Sequence, residues 1–295
     1  MKERVIDLSS ARAHVSIDNG LLVIESGENK ATVPPVEVAA VLAAHYAVTF
    51  TREAVATLAT SGAQLIVCDK RGMPVAMMLP LVGFHQPALR LATQAAVGRV
   101  VKKRLWRLVV RNKIRSQAAL LMRLHGHDAG LGTLVAEVKS GDATNVEGQA
   151  ARRYWQALLG ERFIRDTEAP DENRFLNYGY ALLRAMTCRA LCGAGLHPGL
   201  GIHHHHRANP FCLADDLMEP YRPLVDGIVL KLVGEVGRIA ELSPPLKRRL
   251  MELVQVRVSM GGESRVLFDG LVRMSMSLAG VYEGRRRKLL LPEWG

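Results

Sequence analysis

Long uninterrupted apolar runs are missing from this chain. No stretch reaches the roughly 18 to 20 residues that a membrane helix needs, and Met1-Lys2-Glu3-Arg4 does not lead into the apolar core of a signal peptide. Both absences predict a protein of the cytoplasm. Cysteine is scarce too: Cys68, Cys188, Cys192 and Cys212 are the only four in 295 residues, which excludes a disulfide framework and suits a reducing compartment. Cys188 and Cys192 stand one helical turn apart, but no second pair completes a zinc site, so both are expected to pack as small apolar side chains. No polybasic tail or basic amphipathic face is strong enough to favour a membrane surface.

Acidic residues are in short supply on one side of the chain only. Met1 to Leu79 hold seven Lys and Arg against eight Asp and Glu, so the whole excess behind the net charge of +11 falls after residue 79. A basic region beside a neutral one points to a polyanionic partner, of which nucleic acid is the usual case; solubility alone is the plainer explanation. What is present otherwise is the balance of a folded protein, with 48% hydrophobic and 23% charged residues.

The first 79 residues alternate as strands do. Val5 to Leu8, Ala13 to Ile17 and Leu21 to Ile24 are short and β-branched, and Asp18-Asn19-Gly20 supplies a hairpin turn in which Asn and Gly tolerate positive φ. Lys30 to Val33, Val36 to Ala40, Gln64 to Cys68 and Pro74 to Met77 read as further strands, and Thr51 to Ser61 as a helix capped by Thr51. The expectation is an α+β chain: a small N-terminal, mainly β domain over 1–79, a Pro- and Gly-punctuated linker over 80–87, and a larger all-α catalytic domain over 88–295. Residues 88–124 carry one long basic amphipathic pattern, with Leu89, Ala92, Ala96, Val100, Leu105 and Leu108 facing a core. Arg90, Lys102, Lys103, Arg104, Arg111, Lys113 and Arg115 face outward in this reading. A one-signed face of this kind suits a phosphate backbone. Arg152, Arg153, Arg222 and the terminal run Arg285, Arg286, Arg287 join them as DNA-binding candidates.

Three stretches carry chemistry. Asn145 or Thr144 caps a helix that puts Glu147 in its first turn, with Ala151 and Tyr154 on the same face and small residues at Gly148 and Ala150. Arg174 opens a second helix, whose apolar positions continue through Met186 and Leu191 and which ends at Gly193 and Gly195. Gly201 to Pro223 holds His203, His204, His205 and His206, then Asp215, Asp216 and Glu219. A loop between imidazoles and carboxylates can bring both to one ion, and a set without thiolate favours Mg²⁺ or Mn²⁺. Pro220 and Pro223 lack the N–H that a continuing helix needs, so a break beside Glu219 is expected.

NVEGQAARRYW at 145–155, RFLNYGYALLRA at 174–185 and LGIHHHHRANPFCLADDLMEPYRPLVD at 200–226 together resemble the CRISPR-associated integrase family (Cas-one), nearest the form from type II systems, II-C in particular. The resemblance implies a divalent metal held by Glu147, His204 and Glu219, with His205 the alternative histidine. His205, Asp215, Tyr154 and Asn209 then stand as residues that support the ligands. It also implies insertion of short captured DNA into a CRISPR repeat through a 3′-hydroxyl, double-stranded DNA as substrate, a homodimer, and a small ferredoxin-like companion, CRISPR-associated protein two. Two readings compete with it: a hydrolytic metal-dependent nuclease, and a non-catalytic DNA-binding scaffold.

Overall fold

The structure is a computed structural model that describes residues 4–69, 74–78 and 87–294. All of the expected linker except its last residue, Pro87, lies outside the described residues. The strand-rich part comprises β1 (Arg4–Leu8), β2 (Ala13–Asp18), β3 (Leu21–Ser26), β4 (Asn29–Val33), β5 (Val38–Ala43), β6 (Val48–Phe50), α1 (Arg52–Thr60), β7 (Gln64–Cys68) and β8 (Pro74–Met77). These strands form two four-stranded sheets, ordered β4-β3-β2-β6 and β1-β5-β7-β8. The hairpin between β2 and β3 turns at Asn19 and Gly20, both with positive φ, as their residue types allow. Thr51 caps α1 by accepting from the amide of Ala54. The segment expected as a strand from Val36 begins instead as a 3-10 turn over Pro35–Glu37, because Pro35 fixes a helical φ, and β6 was not foreseen.

β5 is buried on both faces. Val41 and Ala43 join Val15, Leu22 and Leu58 in a core between the two sheets and α1. Ala40 and Leu42 point the other way, with Ile66 of β7, into the large core of the helical part. Period-2 alternation therefore makes one strand serve two cores. Arg189 ties the parts as well, donating from Nε to the carbonyl of Gly62 at 2.7 Å.

The helical part comprises α2 (Pro87–Ala95), α3 (Arg99–His125), α4 (Leu131–Glu137), α5 (Val146–Leu159), α6 (Asn173–Gly193), α7 (Cys212–Met218), α8 (Arg222–Val236), α9 (Pro244–Leu250) and α10 (Leu267–Tyr282). It is not wholly helical: β9 (Arg257–Met260) and β10 (Glu263–Val266) form an antiparallel hairpin ahead of α10. The single pattern expected over 88–124 is two helices, because the chain breaks around Gly98, which stands at the N-terminus of α3. That break resets the inward face. Leu89 and Val100, expected in a core, are 61% and 82% exposed, while Arg90 and Gln94, one turn apart on α2, are buried. Arg90 donates to the carbonyl of Ala194 and pairs with Glu283. Gln94 donates to the carbonyls of His197 and Leu200 and accepts from the amide of His197. α2 thus grips the segment that leads into the histidine stretch.

α3 runs through the middle of this part, burying Leu105, Trp106, Val109, Val110, Ile114 and Leu121, and stops at left-handed Gly126. α6 lies against α8 and α10, with Cys188 buried and its thiol pushed up by that burial. α6 and α8 approach so closely at Gly179 that a Cβ there would come within 2.4 Å of a Val225 methyl. Gly179→Ala is therefore expected to destabilise the protein by about 1–3 kcal/mol, and Gly179→Ala combined with Val225→Ala to recover part of the loss, measured by urea denaturation.

Candidate active site

Glu147, Lys113 and Glu219 come from three different helical segments and meet at one point. Glu147 sits in the first turn of α5, whose start is held twice. Asn145 accepts from the Gly148 amide, and the Asp142 carboxylate accepts from the amides of Val146 and Glu147 at 3.0 Å each. Asp142 and Asn145 both adopt positive φ, a conformation their short polar side chains tolerate. Gly148 makes room for this cap, since a Cβ there would lie 2.7 Å from the Asn145 side-chain amide. Glu219 stands where α7 gives way to a 3-10 turn, Glu219–Tyr221, with Pro220 inside the turn and Pro223 at the start of α8. The expected break is there, and it separates Glu219 from a regular helix.

The ammonium of Lys113, from the middle of α3, lies 2.6 Å from Glu147 Oε1 and 2.5 Å from Glu219 Oε2. Lys113, expected on an outward basic face, is buried. On α3 it follows Leu105 and Val109 at four-residue steps, so it extends the apolar stripe inward. Burial works against its charge, but the carboxylates of Glu219 and Glu147 outweigh that and raise its pKa. Glu219 is 5% exposed at its side chain, and the cations Arg222 and Lys113 overcome its burial to hold its carboxyl below the usual range. Arg222, a candidate for DNA contact, lies instead 3.2 Å from Glu219 Oε1, with its guanidinium over the Tyr180 ring.

The histidine stretch is organised by Asp216, which the sequence places among the carboxylates without indicating that it holds the histidines. Its side chain is fully buried and accepts from the amides of Ile202, His203 and His204 at 2.6, 2.9 and 3.1 Å. The same carboxylate takes His204 Nδ1 at 2.6 Å. That hydrogen bond, more than the opposing effect of burial, raises the pKa of His204, and it leaves Nε2 as the nitrogen available to a ligand. Gly201 belongs to this loop: a Cβ there would strike the carbonyl oxygen of His204 at 2.1 Å. His203 stacks on the buried Trp106 ring at 4.2 Å, and His204 meets the same ring edge-on. His205 is exposed, its Nδ1 near the carbonyl of His203, and His206 is exposed as well.

The other supporting residues are distributed differently from expectation. Asp215 pairs with Arg184 and accepts from Asn209 at 2.8 Å, so these two close the far end of the loop. The hydroxyl of Tyr154 is directed to Asp226 and not to Glu147. It donates to Asp226 Oδ2 at 2.6 Å, and Tyr180 donates to Oδ1 at 2.5 Å, in a buried cluster that draws Tyr154 into the core. Burial pushes the Asp226 carboxyl up to about 6 despite these two donors. Among the DNA-contact candidates, Arg90 is buried and Arg111 half-buried, donating to the carbonyl of Ala136. Lys103, Arg104, Arg115, Arg152, Arg153, Arg285, Arg286 and Arg287 are exposed, and Lys102 is half-exposed.

Among the described residues no three His, Cys, Asp or Glu side chains surround a common ion position, because the two glutamates close on the Lys113 ammonium. The donors themselves suit a divalent ion of the Mg²⁺ or Mn²⁺ type. Two carboxylates converge, and the imidazole of His204 keeps Nε2 free of the bond that Nδ1 makes to Asp216.

A sequence model of the family described as "CRISPR associated protein Cas1" matches residues 7–238. A "CRISPR-associated endonuclease Cas1" of Neisseria meningitidis serogroup C (strain 8013) is 38% identical over 279 residues, covering 92% of this chain and 90% of the relative. The fold is similar to that of a casposase bound to integration product, with TM-score 0.82 and 20% identity over 97% of this chain and 92% of that one. It is also similar to a chain of a Cas6-RT-Cas1–Cas2 complex, with TM-score 0.74 and 19% identity over 99% of this chain and 36% of that one.

Two outcomes are expected from this geometry. Asp216→Ala leaves three backbone amides and a histidine without their buried acceptor, and should cost about 3 kcal/mol or more in urea denaturation. Asp226 has a folded pKa above its unfolded value of 3.8, so between about pH 4 and pH 6 the folded state keeps a proton that the unfolded chain has released. Stability should fall by roughly 3 kcal/mol as pH rises through that window, and Asp226→Asn should flatten the profile.

Proposed function

Because this chain belongs to the Cas1 family, we propose that it is a metal-dependent DNA integrase of CRISPR adaptation, inserting short captured DNA fragments into the CRISPR array by 3′-hydroxyl transesterification. The observation that carries this reading is the convergence of Glu147 and Glu219 on one point, while Asp216 fixes the ring of His204. Glu147, Glu219 and Nε2 of His204 would hold Mg²⁺ or Mn²⁺. Such an ion, when bound, supplies charge withdrawal at a phosphoryl oxygen and stabilises the leaving oxygen. Asp216 accepting from Nδ1 selects the tautomer of the neutral imidazole whose lone pair is on Nε2, the nitrogen left for coordination. Arg222 offsets the charge of Glu219. The 3′-hydroxyl of the fragment attacks a phosphodiester at the repeat, and the displaced 3′-oxygen leaves with no net hydrolysis.

The substrate in this reading is double-stranded DNA, approached by the exposed basic residues of α3 and α5, Lys103, Arg104, Arg115, Arg152 and Arg153. Joining both ends of a fragment requires two sites at a fixed separation, which a homodimer provides. The strand-rich residues 1–79 would serve contacts with the second copy and with CRISPR-associated protein two. The similar fold of a chain in a Cas1–Cas2 complex supports that partnership. In this reading the protein works in the cytoplasm.

A hydrolytic endonuclease is the second reading, favoured by the name of the Neisseria relative. Incubation of a labelled short duplex with repeat DNA and Mn²⁺ distinguishes them: branched joined products support the integrase, and cleaved fragments alone support the nuclease. Glu147→Ala is expected to reduce joining at least about a thousandfold while DNA affinity changes little. Metal-dependent joining retained by this variant would falsify the assignment.

A further inference from the structure

Lys113 is unusual in its company. Its ammonium touches the same two oxygens, Glu147 Oε1 and Glu219 Oε2, that the proposed reading assigns to a divalent ion. The contacts are 2.6 and 2.5 Å, about half an ångström longer than Mg²⁺ to carboxylate oxygen. A small contraction of both arms would therefore turn the ammonium's position into that of the metal. Two cations cannot share that position. Glu219 is too deeply buried for water to neutralise it, so the carboxylates need a cation between them whenever no metal is present. Arg222 does not fill that gap, because it meets the other oxygen of Glu219, Oε1. The lysine comes from α3, whereas His204 lies on the loop held by Asp216, so the cation and the imidazole are carried by different segments.

We propose that Lys113 is a resident cation of the site, holding Glu147 and Glu219 together in the metal-free protein and yielding its place when a divalent ion binds. The ion must displace an ammonium already attracted by two carboxylates, so metal affinity is set by this competition and not by the three ligands alone. Lys113 is accordingly a positioning residue: it keeps the ligands preassembled and lowers the affinity of the site. The inference rests on the proposed metal role of Glu147 and Glu219 and adds to it a part for a residue outside that set.

The test is Mn²⁺ binding to the full-length protein, followed by the electron paramagnetic resonance of free Mn²⁺, for the wild type, Lys113→Met, Lys113→Gln and Glu147→Gln. Lys113→Met is expected to bind Mn²⁺ at least about tenfold more tightly and to unfold at a lower temperature without metal. The deficit in unfolding temperature should close once Mn²⁺ is saturating. Lys113→Gln should shift affinity in the same direction, which guards against a folding failure of the methionine variant; circular dichroism of both checks the fold. A structural role alone would not tighten metal binding. Unchanged or weaker Mn²⁺ binding in both folded lysine variants overturns the role of Lys113 while leaving the metal site standing. Absence of Mn²⁺ binding in every form, or equal binding by wild type and Glu147→Gln, removes the metal reading and this inference with it.

Discussion

A carboxylate as deeply buried as Glu219 must be compensated, and much of the helical part is arranged around that requirement. Lys113 reaches it from α3, Arg222 from the start of α8, and Lys113 also touches Glu147 from the first turn of α5. Three segments distant in sequence are thereby tied through one charge cluster. In a low-dielectric interior a single unpaired charge costs far more than a surface pair contributes. The approach of α3, α5 and the 3-10 turn of Glu219–Tyr221 is therefore an electrostatic necessity as well as a packing arrangement. Trp294 adds an apolar contact near the same place, edge-on to Tyr221, while its indole N–H donates to Asn112, the neighbour of Lys113.

The histidine loop depends on a second buried acid. Asp216 gathers three consecutive backbone amides and the ring of His204, so a stretch with no regular structure acquires a defined shape. Its two ends are tied by different means. Gln94 and Arg90 of α2 hold the approach through backbone carbonyls, and Asp215 with Asn209 holds the exit. α2, the first helix described after the strand-rich part, thus grips the entrance to the loop.

Much of this was legible in the sequence where the signal is local. The β2–β3 turn follows from Asn19-Gly20, the α1 cap from Thr51, and the break after α7 from Pro220 and Pro223, because each residue type acts on its own backbone. Glu147 in a first turn was equally readable. What failed depended on distance. The periodicity over 88–124 did not reveal that Gly98 resets the phase, so Leu89 and Val100 were placed inward and Arg90 outward. The hairpin of β9 and β10 is too short to stand out between helices. Tyr154 shares a helical face with Glu147, yet its hydroxyl is taken by Asp226, 72 residues away.

The sequence by itself determined the kinds of groups available: two glutamates, a run of histidines and an excess of basic residues, in segments whose local structure follows from their own side chains. It determined the family as well, since the resemblance lies in the order of those segments. Only the tertiary structure decided which groups meet. Asp216 rather than Asp215 takes His204, and Lys113 leaves an apparently outward basic face to stand between Glu147 and Glu219. The physical reason is that compensation of buried charge is a contact between remote segments, whereas turns, caps and helix breaks are properties of neighbours along the chain.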